Sequence, residues 1–237
     1  MTKQHLIKEA FRLKESNCTI ISDQKSGIEK AKSSIKHHRK QLETYVNEHP
    51  QFLHSFEPVP VGRAPKVAQL MAEASAKANV GPMAAVAGVL ADLAVQEMID
   101  SGCKVAVMEN GGEVSAVSDQ PIDIGFQAGD EPLSREMGFR LTKFPVGVAT
   151  SSGRFSHAFS FGDADAVTIF AVDAGVADAA ATAVANLTKG DDVPDAIRQG
   201  IDDALSIDGV QGVFILYRGV VGRAGQVPEL IKVNPKQ

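Results

Sequence analysis

The sequence predicts an α+β fold with mixed or antiparallel sheets and packed helices. Three observations carry this. Strand-length apolar runs and helical repeats come in irregular order, not in strict βαβα alternation. Short apolar runs are paired around tight-turn residues, Asn110-Gly111-Gly112 and Arg218-Gly219, which marks hairpins. The chain is rich in Ala, Gly and Val, with no Trp and only 5% aromatics, a composition suited to close packing of helices on sheets. The alternative arrangement is two similar α/β halves folded onto each other. At 237 residues the chain fits a single domain, divided into a basic N-terminal part, 1–57, and a core, 58–237.

Each element has a local reason. Residues 3–14 fit a short helix or a strand, and 18–22 read as a strand. From Ser26 to Leu53, Ile28, Ile35, Leu42 and Val46 recur at about two-turn spacing, which predicts a helix. Its other face carries Lys30, Lys32, Lys36, His37, His38, Arg39 and Lys40. Pro50 ends that helix or its extension. Residues 56–65 hold three prolines and form an extended connector. A helix follows over 66–78, is broken by Asn79-Val80-Gly81, and restarts at Pro82, a residue suited to a first helical position. That second helix runs over 83–101 and ends at Gly102.

Strands are expected at 103–109, 113–117, 122–128, 137–141, 146–150 and 166–172. Helices are expected at 173–187 and 195–205, then a hairpin at 210–217 and 220–222. The tail from Val227 is polar and extended. The sequence shows no internal repeat and no low-complexity segment.

Charge and cysteine usage narrow the function classes. A net charge of −5 argues against a protein devoted to nucleic acid, which needs an excess of Lys and Arg. Cys18 and Cys103 form no CxxC pattern, as expected of free thiols in a reducing compartment. No continuous apolar leader or run of about 18 apolar residues occurs. A cytoplasmic protein with no membrane partner is expected. Homo-oligomerisation is left open.

The chemistry-bearing residues gather in a few blocks. Asp178 and Thr182 are one helical turn apart and share a face. A carboxylate and a hydroxyl so placed suit Mg²⁺, which prefers oxygen ligands shared with substrate phosphate. The nearby helix start favours anions. Alternatively, Asp178 caps the helix and Thr182 only packs. Thr150-Ser151-Ser152-Gly153 ends a strand where backbone amides can fold around an anion. His157, close by, is the candidate proton carrier. Asn110-Gly111-Gly112-Glu113 permits close approach of a ligand to the backbone, or is a plain hairpin turn. Asp163 and Asp165 are candidate metal ligands or strand caps. The His37, His38, His49 and His54 group fits no standard metal spacing.

Taken together, NGGE at 110–113, TSSG at 150–153 and VADAAATAVAN at 176–186 resemble the ApbE-like superfamily, best known for FAD:protein FMN transferases. The resemblance covers residues 80–218. HAFSFGDADAV and GPMAAVAG place it with a shorter, signal-less branch. The resemblance implies an α+β fold with a flavin nucleotide, FAD or a relative, across the three blocks. Asn110, Gly111, Gly112, Glu113, Thr150, Ser151, Ser152 and Gly153 would contact the nucleotide. It implies Mg²⁺ held by Asp178, Thr182 and the main-chain carbonyl of Ala84, and His157 as the catalytic residue. A protein acceptor or partner enzyme follows from the same resemblance. So does an alternative role as a non-catalytic accessory of sulfur amino-acid (homocysteine) assimilation. The chain departs from the transferases in two blocks. Their His-Asp-Pro-x-Thr-Gly block is reduced here to His157 and Gly162, and Ala85 stands where a Lys is usual.

Overall fold

The computed structural model describes residues 6–125, 137–152 and 162–233. Its strands and helices stack in three layers. The middle layer is an eight-stranded sheet built from β1 (Ile7–Leu13), β2 (Ser16–Ser22), β3 (Ala106–Asn110), β4 (Glu113–Val117), β7 (Val146–Ser151), β8 (Ala166–Ala171), β9 (Val210–Tyr217) and β10 (Val220–Gly225), in that spatial order. Every neighbouring pair is antiparallel. On one face lie α1 (Lys25–Glu48), α2 (Pro50–His54), α3 (Lys66–Lys77), α4 (Val86–Asp100), α5 (Ala174–Leu187) and α6 (Val193–Ser206). On the other lies a small sheet of β5 (Ile122–Gly125), β6 (Met137–Leu141) and β11 (Glu229–Lys232), ordered β11-β6-β5.

Two apolar cores result, one on each face of the middle sheet. Ala106, Met108, Ala149, Val167, Ile169, Val213 and Ile215 face the helices. Their chain neighbours Val107, Val148, Ala166, Phe170 and Phe214 face the small sheet, where Phe139 of β6 meets Phe170 and Phe214 edge-on at 4.9 and 5.6 Å. Being covered on both sides explains why β8 (AVTIFA) is buried at every position, with no polar alternation to announce it.

The chain order in the middle sheet repeats. β1 and β2 form a hairpin, helices follow, and β3 and β4 form a second hairpin. β7 and β8, then α5 and α6, then β9 and β10 do the same. The two-halves alternative therefore describes the topology. β4 and β7 meet at the centre, where the halves join.

Differences from the sequence reading have local causes. Of the two forms open for residues 3–14, the strand is the one found, as β1. Pro50 does end α1, yet it also opens the five-residue α2. Pro82 starts a 3-10 turn, Pro82–Ala85, before α4 proper. The expected polar tail contains β11, which pairs with β6. Pro82–Asp100 is long and apolar enough to meet a length-and-composition test for a membrane-crossing helix. The fold instead packs it against α1, α5, β3 and β4.

The central pair of helices, α4 and α5, approaches unusually closely. A Cβ on Gly88 would sit 2.1 Å from the Ala174 carbonyl oxygen, and one on Gly175 would sit 2.6 Å from a Val89 methyl. The Ala positions of α5 (Ala177, Ala179, Ala180, Ala181, Ala183, Ala185) are all buried. Small side chains here let backbones come near one another, and any added methylene must displace a neighbour. We predict that Gly88→Ala lowers stability by about 3 kcal/mol in urea unfolding. Gly62→Ala, where a Cβ meets nothing within 4 Å, should stay within about 0.5 kcal/mol of the parent. Equal stability of the two variants would contradict this packing account.

Candidate functional site

The close contact of α4 and α5 has an electrostatic counterpart. A helix start leaves its first amides without partners. α4 has no side-chain cap of its own. Instead Asp178, from the second turn of α5, accepts from the Gly88 amide at 3.0 Å and also from that of Ala87. In return Asp92 of α4 accepts from the amides of Ala174 (3.0 Å) and Gly175 (2.8 Å). Asp173 completes the α5 terminus by accepting from Val176 at 2.7 Å. Each helix thus supplies the anion that caps the other, and each carboxylate sits at the positive end of a helix dipole.

The sheet below adds a third carboxylate. Ser115 of β4 hydrogen-bonds Asp92, so Ser115 faces the helices, and so does Glu113 two residues earlier. Asp92, Glu113 and Asp178 are all partly buried. Desolvation is the largest influence on each. It raises Asp92 to about 6 and Glu113 to about 7. Asp178 is raised well above the usual carboxylate range, first by desolvation and then by the charge of Glu113. The leading influences on the three include no lysine or arginine. The partners that favour the ionised forms of Asp92 and Asp178 are backbone amides and the Ser115 hydroxyl, and burial outweighs them.

The predicted site residues that are described lie on β3, β4, β7, the 3-10 turn and α5 or next to them. Asn110 ends β3, and Gly111 and Gly112 form the β3–β4 turn at φ 75° and 122°. Both values lie in the region glycine tolerates best. Gly111 donates to the Asn17 carbonyl and Gly112 to Glu109. Asn110 is 3% exposed, with its amide nitrogen on the Ala87 carbonyl (3.1 Å) and its oxygen 3.5 Å from the Cys18 thiol. Glu113 opens β4 beside Asp178. Ala84 lies partly exposed in the 3-10 turn, which packs against α5.

Thr150 hydrogen-bonds Thr168 at 2.9 Å, on the small-sheet side of β7. Ser151 lies on the helix side, the same face as Gly147, whose position abuts the start of α5. α5 runs back along β7 from there. Thr182, partly buried, lies on α5, which packs along β7. Ser152 follows the strand. Gly153 and His157 lie outside the described residues. Asp165, just before β8, accepts from the Arg218 amide in the β9–β10 turn at 2.6 Å. His49 stacks on Tyr45 at 4.2 Å.

Asp92 and Thr168 were not singled out from sequence. Their signal was present, a polar residue inside an otherwise apolar helix (VAGVLADLAV) and strand (AVTIFA). Among the described residues no three His, Cys, Asp or Glu side chains group as an all-protein metal cage. Magnesium does not need one, since it keeps waters and shares substrate phosphate. Asp178 offers one partly buried carboxylate for such an ion, and Thr182 follows it one helical turn later on the same face of α5.

The ionisation balance gives a test. Glu113 titrates at about 7 against an ordinary 4.5. A raised carboxyl means the folded state binds the proton more tightly, so the wild type loses stability as pH rises through that window. Glu113→Gln has no such loss. With divalent cations removed, it should match the wild type below pH 4.5 and exceed it above pH 7 in urea unfolding. A variant less stable than wild type above pH 7 would show Glu113 to be held by an attractive partner.

Known proteins align with this architecture. The family model described as AbpE bacteria matches residues 3–208. A UPF0280 protein of Methanococcus vannielii is 39% identical over 238 residues, covering 98% of this chain and 96% of that protein. The UPF0280 protein of Methanocaldococcus jannaschii is 38% identical over 234 residues, covering 97% and 95%. Among solved structures, the apo flavinyl transferase ApbE of Pseudomonas stutzeri superposes with a TM-score of 0.59 at 17% identity, covering 95% of this chain and 96% of that one. The ApbE protein of Thermotoga maritima gives 0.58 at 15%, covering 93% and 97%. Such identities speak for the fold alone. With 206 consecutive residues matched, from 3 to 208, this chain belongs to the AbpE bacteria family and is a member of the ApbE-like superfamily.

Proposed function

We propose that the protein binds a flavin nucleotide, FAD or a close relative, together with Mg²⁺, at the junction of its two halves. The observation that carries this reading is the cluster of Asp178, Glu113 and Asp92 at two converging helix starts, with no basic group among the leading influences. Buried carboxylates with no basic group among their leading partners gain from a cation, and a cation placed there attracts a diphosphate.

In this reading Asp178, the Thr182 hydroxyl and the Ala84 carbonyl hold the metal. Gly111, Gly112, Glu113, Ser151 and Ser152 border the nucleotide, with Thr150 supporting the strand end from below. Gly153 and His157 complete the same loop in sequence, His157 as proton carrier. Bound Mg²⁺ would neutralise charge on the diphosphate and ease departure of a phosphoryl-linked group. Asp178, Thr182 and Ala84 would orient the metal, whose charge would favour the ionised carboxylates that burial disfavours. Flavin transfer to a protein acceptor is the reaction class this arrangement serves. Two buried free thiols, Cys18 and Cys103, suit a reducing, cytoplasmic setting.

Purified protein incubated with FAD should take up flavin when Mg²⁺ is added and release it on chelation. Asp178→Ala should lower that uptake at least about a hundredfold, the scale of losing a charged ligand, while circular dichroism shows the fold retained. Thr182→Val should weaken it by about tenfold. No flavin uptake by the wild type, with co-purification of another enzyme, would put the accessory role in its place.

A further inference from the structure

The Asn110 side chain sits where a ligand-contacting residue was expected, yet both ends of its amide are occupied inside the protein. A carbonyl oxygen only accepts, so the Asn110 nitrogen must be the group facing Ala87, at 3.1 Å. This leaves the Asn110 oxygen to accept from the Cys18 thiol at 3.5 Å. Both residues are buried. The Ala87 carbonyl belongs to the same peptide unit as the Gly88 amide, and that amide donates to Asp178 at 3.0 Å. A single peptide plane therefore joins Asn110 on one side to Asp178 on the other.

We propose that Asn110 is a positioning residue for Asp178, acting through the Ala87–Gly88 peptide and itself oriented by Cys18. The peptide is rigid about its C–N bond. Fixing its oxygen fixes where its N–H points, and hence which lone pair of Asp178 stays available. A hydrogen bond on the carbonyl also polarises the amide and strengthens its donation. Gly88 has no side chain to steady the plane, because the Ala174 carbonyl stands where a Cβ would be. The tie also couples the β3–β4 turn to the α4 start and, through Asp178, to α5. The geometry stands by itself, and its consequence for ligand affinity rests on the metal–nucleotide reading above.

Two readouts separate the two claims. The first is amide hydrogen exchange at Gly88 in ligand-free protein, followed by NMR. In Asn110→Ala it should quicken by about fivefold, the scale of one hydrogen bond. Asn110→Asp, which puts an acceptor against the Ala87 carbonyl, should exceed that. Cys18→Ser keeps a hydroxyl donor and should stay close to wild type. Val107→Ala, in the core on the opposite face of the sheet, serves as the control for general loosening. The second readout is Mg²⁺-dependent FAD affinity by calorimetry, which Asn110→Ala should weaken several-fold more than Val107→Ala. If Gly88 exchange in Asn110→Ala is unchanged, or quickened only as much as in Val107→Ala, the positioning role is overturned. If Gly88 responds as expected while wild type takes up no flavin, the tie stands and the nucleotide reading fails.

Discussion

The arrangement depends on one exchange. α4 and α5 each lend a carboxylate to the other's first turn, Asp178 to Ala87 and Gly88, and Asp92 to Ala174 and Gly175. The exchange works only because the helices nearly touch, which Gly88, Gly175 and the alanines of α5 permit. Bulkier residues would part the backbones and leave two sets of amides and two carboxylates without partners. The same closeness is what gathers negative charge. Two acids aimed at neighbouring helix starts, with Glu113 beneath, are desolvated together, and all three are shifted upward. Helix packing, capping and the burial of three carboxyls are thus one feature seen three ways.

The location of this feature follows from the topology. Each half of the chain runs hairpin, helices, hairpin, and the halves meet along β4 and β7. α4 comes from the first half and α5 from the second. The proposed site between them would draw on both, with parts far apart in sequence: the turn at 110–113, the strand end at 150–152 and the helix at 178–182. No residue-by-residue repeat is visible in the sequence because the halves share only their layer pattern. The first half spaces its helices with the Phe56–Pro65 connector, and the second half has a short link between α5 and α6.

Much of the fold was readable from residues. Tight turns at Asn110-Gly111-Gly112 and Arg218-Gly219 marked the hairpins, and the positive φ values at Gly111, Gly112 and Gly219 show why those residues stand there. The helix expected over 173–187 is α5, and the structure shows Asp173 as its cap. The small sheet was harder. β11 is four residues of a polar tail, and only its partner β6 makes it a strand. Within the site, the three blocks could be named but their bonding could not. Asn110 next to two glycines looks like an exposed turn residue. Only the fold shows it turned inward to Ala87. Asp92 was overlooked because an acid in a helix is ordinarily surface, and its partners lie 82 and 83 residues away.

The most direct measurement is paramagnetic mapping with Mn²⁺ as a substitute for Mg²⁺, with ADP or FAD present. If the carboxylates at the joined helix starts hold the ion, amide signals of residues 84–88, 111–113 and 178–182 broaden first, at low metal. Broadening that begins instead at the exposed acids of α6, such as Asp202 and Asp203, and leaves those three segments sharp would contradict the account.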